Sequence, residues 1–382
     1  MKPRVLYVAL AADHFDGAIY SLIDLIQSVR DKVEPIVLLP TKGCIYDHFT
    51  KMGVRCIAED FIADCCTDPH TVKQWCGYIL RYIPYNLRYN KVNKKCIANV
   101  VEILKGQRID VVHSNSTILS IGFDLANALD AKFVWHMRGF IDLDFGWKPL
   151  KGWRKYNKLI RKSDAVIGIT NSVLQHLLPN HSDNGYAIFD AVRSRKDILY
   201  VTDKEKYFLF AAGLIIPTKG CDIAIKAFAL SNLWNEGYRL KIIGRREAKY
   251  GEQLDRLIDQ LSMRDYIDLI PFTEDVRTHM AHATAFLMCS ANEGLGRVTV
   301  ESMFYGTPVI ARNSGGTVDF IFDNKTGFLF NDVGECVKKM EYVAHSDCTP
   351  IVKQAQEFAV NNFSIEDYDE KIMKVYNGIL KH

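Results

Sequence analysis

The part of the chain richest in chemistry-bearing residues runs from Ser290 to Glu301, SANEGLGRVTVE. It follows an apolar run ending at Cys289 and opens a helix-like pattern. Gly294 and Gly296 allow a backbone to approach a ligand closely. The helix N-terminus beyond them offers N–H groups and a partial positive charge, which suits a diphosphate. Glu293 stands just before that helix, where a carboxylate can accept hydrogen bonds from sugar hydroxyls. Glu301 stands further in, where it can hold ribose hydroxyls. Taken alone, the segment equally fits a glycine-containing turn with two solvated glutamates. A second loop, residues 213–220 (GLIIPTKG), also follows an apolar run and opens a helix. Lys219 within it can reach a phosphate as a point charge.

Such loops need strands to carry them. In the first half, strand-like runs fall at residues 4–9, 35–39, 54–57, 111–113, 133–136 and 165–169. In the second half they fall at 208–212, 240–243, 267–270, 285–289, 308–311 and 327–330, with helical patterns between most of them. Short, continuous apolar runs are expected where helices cover both faces of a sheet. Their alternation with helices implies parallel sheets of βαβ units. In such sheets ligands bind beyond the carboxyl ends of the strands, where both loops lie. The fold expected is α/β, with two Rossmann-like doubly wound domains facing across a cleft, 1–200 and 201–363. The charged, aperiodic segment 195–206 marks the boundary. Residues 364–382 begin with a Ser364-x-x-Asp367 cap and continue as an amphipathic helix expected to pack back on the first domain.

A chain of 382 residues suits two or three domains of roughly 100–200 residues each. No run of apolar residues is long enough for a spanning helix. The start, Met1-Lys2-Pro3-Arg4, leads straight into a strand-like run without a signal-peptide cleavage site. The ten cysteines are scattered, with no CxxC pair and no Cys/His spacing of a zinc site. They read as reduced thiols of a cytoplasmic protein. Residues 1–200 hold 27 Lys/Arg against 20 Asp/Glu, whereas residues 201–382 hold 21 against 25. The first half is therefore the one expected to meet an anionic partner, unless the asymmetry is chance. Within it, residues 73–95 interleave Lys73, Arg81, Arg88, Lys91, Lys94 and Lys95 with Trp75, Tyr78, Tyr82, Tyr85 and Tyr89. Residues 147–162 add Trp147, Lys148, Lys151, Trp153, Arg154, Lys155, Lys158, Arg161 and Lys162. Basic and aromatic residues so mixed suit an anionic lipid surface, a nucleic acid or a solvated helix face.

Glu293 and Glu301, with seven residues between them, resemble the E-x7-E signature of retaining glycosyltransferases of family 4 (glycosyl transferases group 1). Residues 303–311 (MFYGTPVIA) resemble that family's segment ending in G-x-P-V-I-A. Gly315-Gly316-Thr317-Val318-Asp319 resembles its G-G-x-x-E turn with Asp for Glu, and Thr326-Gly327-Phe328-Leu329 resembles the T-G-x-L that follows. The resemblance is strongest over residues 208–330. It implies a GT-B fold and a sugar moved, with retention, from a nucleotide-sugar to a glycan or polyprenyl-diphosphate-linked acceptor. Bacterial surface polysaccharide synthesis is the setting it suggests. The donor would be a UDP- or GDP-sugar, bound by Glu293, Gly294, Leu295, Gly296, Arg297, Val298, Glu301 and Lys219. Phe272 and Thr273 fall where the family holds the base, and Gly17 falls in its N-terminal loop over the donor phosphates. His136 falls where a family histidine faces the transferred sugar, so Glu293 and His136 are the catalytic candidates. Arg138, close by, is a weaker candidate for an acceptor or phosphate. The family pattern G-R-L-x-x-x-K-G is departed from at one place, where Leu214 replaces the phosphate-binding arginine. Arg245 and Arg246 are candidates to supply the missing charge.

The resemblance also implies that no metal or other cofactor is needed. Asp142-Leu143-Asp144 has the spacing of a metal-binding pair but lies in a first-half loop and reads as surface or acceptor-side. No nucleic-acid partner is expected. The expected location is cytoplasmic, peripheral on the inner face of the cell membrane. Two other readings share this fold. A sugar-nucleotide 2-epimerase would turn over donor without acceptor. A non-catalytic nucleotide-sugar-binding protein would bind the nucleotide and never release it from a donor.

Overall fold

The computed structural model describes residues 2–10, 13–67, 72–179, 183–273 and 275–381, without the side chains of residues 72–81 and 145. Two units emerge, Met1–Asp190 with Asp367–His382, and Ala191–Glu366. The first contains β1 (Arg4–Val8), α1 (Gly17–Val29), β2 (Glu34–Leu39), α2 (Cys44–Lys51), β3 (Arg55–Ala58), β4 (Cys66–Thr67), α3 (Val72–Ile103), β5 (Val111–Ser114) and α4 (Ile121–Leu129). It continues with β6 (Lys132–Met137), α5 (Asp142–Phe145), β7 (Trp147–Lys148), α6 (Trp153–Lys162), β8 (Ala165–Gly168), α7 (Asn171–Leu177) and β9 (Gly185–Ala187). The second contains β10 (Glu205–Ile215), α8 (Cys221–Ser231), β11 (Arg239–Arg246), α9 (Ala248–Gln260), β12 (Ile267–Ile270), α10 (Arg277–His282) and β13 (Ala283–Met288). Then follow α11 (Arg297–Phe304), β14 (Val309–Arg312), β15 (Phe328–Phe330), α12 (Val333–His345) and α13 (Thr349–Phe363). Helix α14 (Tyr368–Leu380) returns to the first unit.

Both principal sheets are parallel, in the orders β3-β2-β1-β5-β6-β8-β9 and β12-β11-β10-β13-β14-β15. The apolar strands explain this: Val5, Leu6, Tyr7 and Val8 of β1, and Phe208 and Leu209 of β10, are wholly buried. Such strands need cover on both faces, which the crossover helices supply. In each sheet the order reverses once, between β1 and β5 and between β10 and β13. A parallel sheet of this kind opens its ligand crevice at that switch point. The loops after β10 and β13 are residues 216–220 and 289–296, so both chemistry-bearing segments of the second half sit there.

Three differences from the sequence reading have physical causes. The first unit ends at Asp190, before residue 200. The intervening segment bonds into the second unit, through Val192 N–H to the Phe363 carbonyl (2.9 Å) and Leu199 N–H to the Phe304 carbonyl (3.1 Å). Ser364 does not cap the last helix. Its hydroxyl donates to the Val360 carbonyl at 2.6 Å, and a 3-10 turn, Ile365–Asp367, precedes α14. Finally, β10 is longer than expected and bulged. Its register against β11 shifts between Ala211 and Leu214, which sets Leu214 beside Arg245 and Ile215 beside Arg246. In α14, Tyr368, Ile372, Val375, Tyr376 and Ile379 are buried at helical spacing. The helix is tied to the end of α1 by the ion pair of Lys32 with Asp369 (2.6 Å). Among the described residues no helix is long and apolar enough to cross a membrane, and the nine described cysteines are free thiols.

Candidate active site

In the second unit, three loops are stitched together at the switch point. Lys219 Nζ donates to Glu293 Oε2 at 2.7 Å, joining the loop after β10 to the loop after β13. Ser290 Oγ donates to the Thr218 carbonyl at 3.1 Å. The Gly316 N–H donates to the Glu293 carbonyl at 2.7 Å and adds the loop after β14. Glycine makes these approaches possible. Gly220 has φ +69°, and a Cβ on it would lie 2.3 Å from the Cys289 carbonyl oxygen. Gly315 has φ +63°, and a Cβ there would lie 2.8 Å from both the backbone N and O of Glu293. Side chains rarely adopt such backbone angles.

Beyond Glu293, α11 begins at Arg297 with Gly296 as its N-cap. Gly294 and Leu295 are buried, so Leu295 anchors the loop from below. Val298 is half-buried in the first turn. The Arg297 side chain turns back to the chain entering this unit, donating to the Ala191 carbonyl at 3.0 Å. Glu301, one turn on, is buried and accepts from Arg193 Nη2 at 2.9 Å. Arg193 also lines a cavity of about 360 Å³ with Asp197, Asp275, Val276, Arg277 and Tyr305. Arg193 was not singled out from the sequence, because it and Glu301 lie far apart in the chain.

The two arginine candidates separate. Leu214 is exposed, and Arg245 stands beside it on the neighbouring strand. The Arg245 guanidinium lies 5.2 Å from the centre of the exposed Phe272 ring, a cation–π contact. Arg246 is instead paired with Asp255 at 3.1 Å. Thr273 is half-buried next to Phe272.

His136 and Gly17 belong to the first unit. His136 lies within β6, one residue before its end, and is wholly buried. It was expected to face a ligand; its Nδ1 belongs to an internal polar network, and its Nε2 makes no hydrogen bond among the described residues. His136 Nδ1 and His113 Nε2 are 3.2 Å apart, His113 Nδ1 lies 2.8 Å from Tyr376 Oη, and the Tyr376 hydroxyl donates to Tyr7 Oη at 3.2 Å. His136 Nε2 lies 3.7 Å from Asp190 Oδ1. That carboxylate already accepts from Arg138 and, at 2.9 Å, from the Tyr368 hydroxyl. Arg138 Nη2 donates to Asn115 Oδ1 at 2.7 Å, and Asn115 Nδ2 donates to the Ala18 carbonyl at 2.9 Å. The network thereby reaches the start of α1, where Gly17 is exposed and Asp16 caps the helix by accepting from the Ile19 N–H at 2.8 Å. Asp142 pairs with His176 at 2.8 Å, and Asp144 accepts from the Phe140 N–H at 2.8 Å, so both acids of the Asp-x-Asp triplet serve local contacts.

Burial above all, then Arg138, holds both His113 and His136 well below the ordinary value of 6.5; His113 adds to the effect on His136. Both rings are therefore neutral, and the approach of His136 to Asp190 is not an ion pair. The consequence for stability has a definite sign. Below pH 6.5 the unfolded chain takes up protons on these histidines before the folded chain does. Folding stability should fall as pH drops below that value, by up to about 1.4 kcal/mol per pH unit for each histidine. His136→Gln should flatten the slope measured by urea unfolding. A slope unchanged by the substitution would contradict the neutral buried ring.

Comparison with known proteins bears on the class of the protein. Residues 195–376 match the model of the family described as glycosyl transferases group 1. An uncharacterized glycosyltransferase of Methanocaldococcus jannaschii is 24% identical over 324 residues, covering 82% of this chain and 88% of that protein. An uncharacterized 41.2 kDa protein in the cps region of Klebsiella pneumoniae is 22% identical over 302 residues, covering 73% of this chain and 82% of that protein. The crystal structure of Anabaena HepE in complex with UDP superposes with a TM-score of 0.80 at 17% identity, covering 99% of this chain and 100% of that chain. The fold is GT-B, built from two Rossmann-like parallel sheets. The chain is an enzyme of the glycosyltransferase class, and the group 1 match spans its second unit.

Proposed function

We propose that this enzyme is a retaining glycosyltransferase of family 4 that uses a UDP- or GDP-sugar and requires no metal. The observation that carries the reading is the Lys219–Glu293 pair at the switch point of the second sheet, beside the N-terminus of α11. The second unit is the donor-binding domain in this proposal and the first the acceptor-binding domain. The diphosphate draws Lys219 away from Glu293 and takes the partial positive charge of α11. Glu293, released, accepts from the hydroxyls of the sugar to be moved. Glu301, oriented by Arg193, receives the ribose, and the base lies along Phe272, Thr273 and the adjoining cavity. The acceptor oxygen attacks the anomeric carbon from the face the diphosphate leaves. The bond to the diphosphate breaks with its electron pair, the bond to the acceptor forms, and the acceptor proton passes to the departing phosphate oxygen. Lys219, Arg245 and the helix N-terminus stabilise the charge that develops. His136 enters as a positioning residue packed beside Asp190, which Arg138 and Asn115 connect to the backbone at Ala18.

The acceptor we propose is a glycan or a polyprenyl-diphosphate-linked glycan in bacterial surface polysaccharide synthesis. The relative in the Klebsiella cps region supports that setting. The test is release of UDP or GDP from a panel of donors, with and without such acceptors, and the anomeric configuration of the product. Acceptor-dependent release with retention is the expected result. Turnover without acceptor would favour an epimerase, and binding without release a non-catalytic protein.

Arg245 carries a further prediction, because it stands beside the residue that lacks the family's arginine. Arg245→Ala should weaken nucleotide-sugar binding by about 1.5–3 kcal/mol, the worth of one charge-assisted hydrogen bond. Arg246→Ala, whose side chain is held by Asp255, should leave Kd nearly unchanged. Equal Kd values for both variants and the wild type would remove Arg245 from the phosphate site.

A further inference from the structure

Two basic stretches that lie far apart in the sequence meet on one flank of the first unit. The Tyr82 hydroxyl donates to the Leu150 carbonyl at 3.0 Å, and Lys151 Nζ lies 4.8 Å from the centre of the Tyr89 ring. Strand β7 pairs antiparallel with β4, just ahead of α3, with Lys148 opposite Cys66. Buried Asp64 fastens the junction, accepting from the Leu150 N–H at 3.0 Å and the Ser120 hydroxyl at 2.8 Å. Helix α6 begins at Trp153, immediately after this junction.

Both helices expose cations. On α3, Ile83 (62% exposed) and Leu87 (66% exposed) stand one turn apart, and Arg88, Lys91, Lys94 and Lys95 are exposed along the turns that follow. On α6, Tyr156 and Ile160 are buried, while Arg154, Lys155, Lys158, Arg161 and Lys162 are exposed. No acidic residue lies in 82–95 or 146–162. Large aliphatic side chains left in water at the edge of nine exposed cations are the composition of a surface that seats on anionic lipid. A single-stranded nucleic acid would need exposed rings for its bases to stack on. Here none of the described rings is exposed: Tyr89 and Tyr156 are buried, Tyr82, Tyr85, Trp147 and Trp153 are half-buried, and Trp153 packs edge-on against Tyr156 with ring centres 5.7 Å apart.

We infer that this flank, formed by α3 from Ile83 to Lys95 and by α6, is a docking surface for an anionic lipid bilayer. Ile83 and Leu87 enter the headgroup boundary, and the cations of both helices lie along the lipid phosphates. This assignment does not rest on the transferase reading, since the contact needs neither donor nor acceptor.

Flotation of the full chain with phosphatidylglycerol-containing vesicles and with phosphatidylcholine vesicles, in the absence of nucleotide, tests it. Binding to the anionic vesicles alone, lost as salt is raised, is expected. The double substitution Lys155→Glu, Lys158→Glu should lower partitioning by roughly thirtyfold or more, at about a factor of five for each lost charge. Ile83→Ser with Leu87→Ser should lower it by roughly tenfold through lost apolar contact. All four positions are exposed, so both variants should keep the thermal midpoint of the wild type. No binding to anionic vesicles would overturn the inference, as would equal binding by the Lys155/Lys158 variant. Tighter binding to a single-stranded RNA than to vesicles, unaffected by the Ile83/Leu87 substitutions, would reassign the surface to nucleic acid.

Discussion

Glu293→Ala is expected to lower sugar transfer by roughly tenfold or more, about 1.4 kcal/mol of activation barrier, while the fold survives. The carboxylate accepts directly from Lys219 Nζ at 2.7 Å. Its backbone is held independently, by the Gly316 N–H on the Glu293 carbonyl. Truncation of the side chain therefore removes chemistry without releasing the loop. The stability cost is small because both partners of the pair are partly exposed, and such pairs contribute under about 1 kcal/mol. Glu293→Gln keeps the size and loses the charge. A loss of transfer in Gln as large as in Ala would assign the effect to charge rather than shape. Turnover like the wild type in both variants would exclude Glu293 from the reaction.

Gly220→Ala is expected to damage both folding and donor binding. The new Cβ would meet the Cys289 carbonyl oxygen at 2.3 Å and its carbon at 2.9 Å, on a backbone with φ +69°. The left-handed backbone alone costs about 1–2 kcal/mol, and backbone on both sides of the clash leaves nothing flexible to yield. Relief requires the loops after β10 and β13 to part, which pulls Lys219 from Glu293. A thermal midpoint several degrees lower is expected, for a destabilisation of roughly 2 kcal/mol or more, together with loss of nucleotide-sugar binding. Gly17→Ala is the control. A Cβ at Gly17 meets nothing within 4 Å, so its thermal midpoint should be that of the wild type. A Gly220→Ala protein as stable as the Gly17→Ala protein would mean that the two loops are not packed as described.

Much of the fold was legible because buried parallel strands leave short, continuous apolar runs, such as Val5 to Val8 and Phe286 to Met288. The short strands β4, β7 and β9 were missed, since two or three residues carry no periodic signal. The bulge in β10 was also missed, because a register shift depends on the neighbouring strand. The second-unit cluster was legible through Glu293, Glu301, Lys219 and the glycines, which share two short segments. The Arg193–Glu301 pair and the His136–His113–Tyr376 and Asp190–Arg138–Tyr368 contacts were not. Their partners are brought together only by tertiary folding, Tyr368 and Tyr376 arriving on a helix that returns from the far end of the chain. His136 marks the limit of reading position from pattern. A histidine at an apolar strand end looks the same in sequence whether its ring meets a ligand or, as here, a buried network.

The central claim is that the loops after β10 and β13 bind a nucleotide-sugar, and nucleotide-dependent thermal stabilisation tests it most directly. With UDP-, GDP- and ADP-sugars each offered to the wild type and to Lys219→Ala, the account predicts stabilisation of the wild type by a UDP- or GDP-sugar. The gain should be roughly 4 kcal/mol at about a thousandfold excess over Kd, and much less in the variant. A wild type that none of these nucleotides stabilises, or a variant stabilised as much as the wild type, would contradict it.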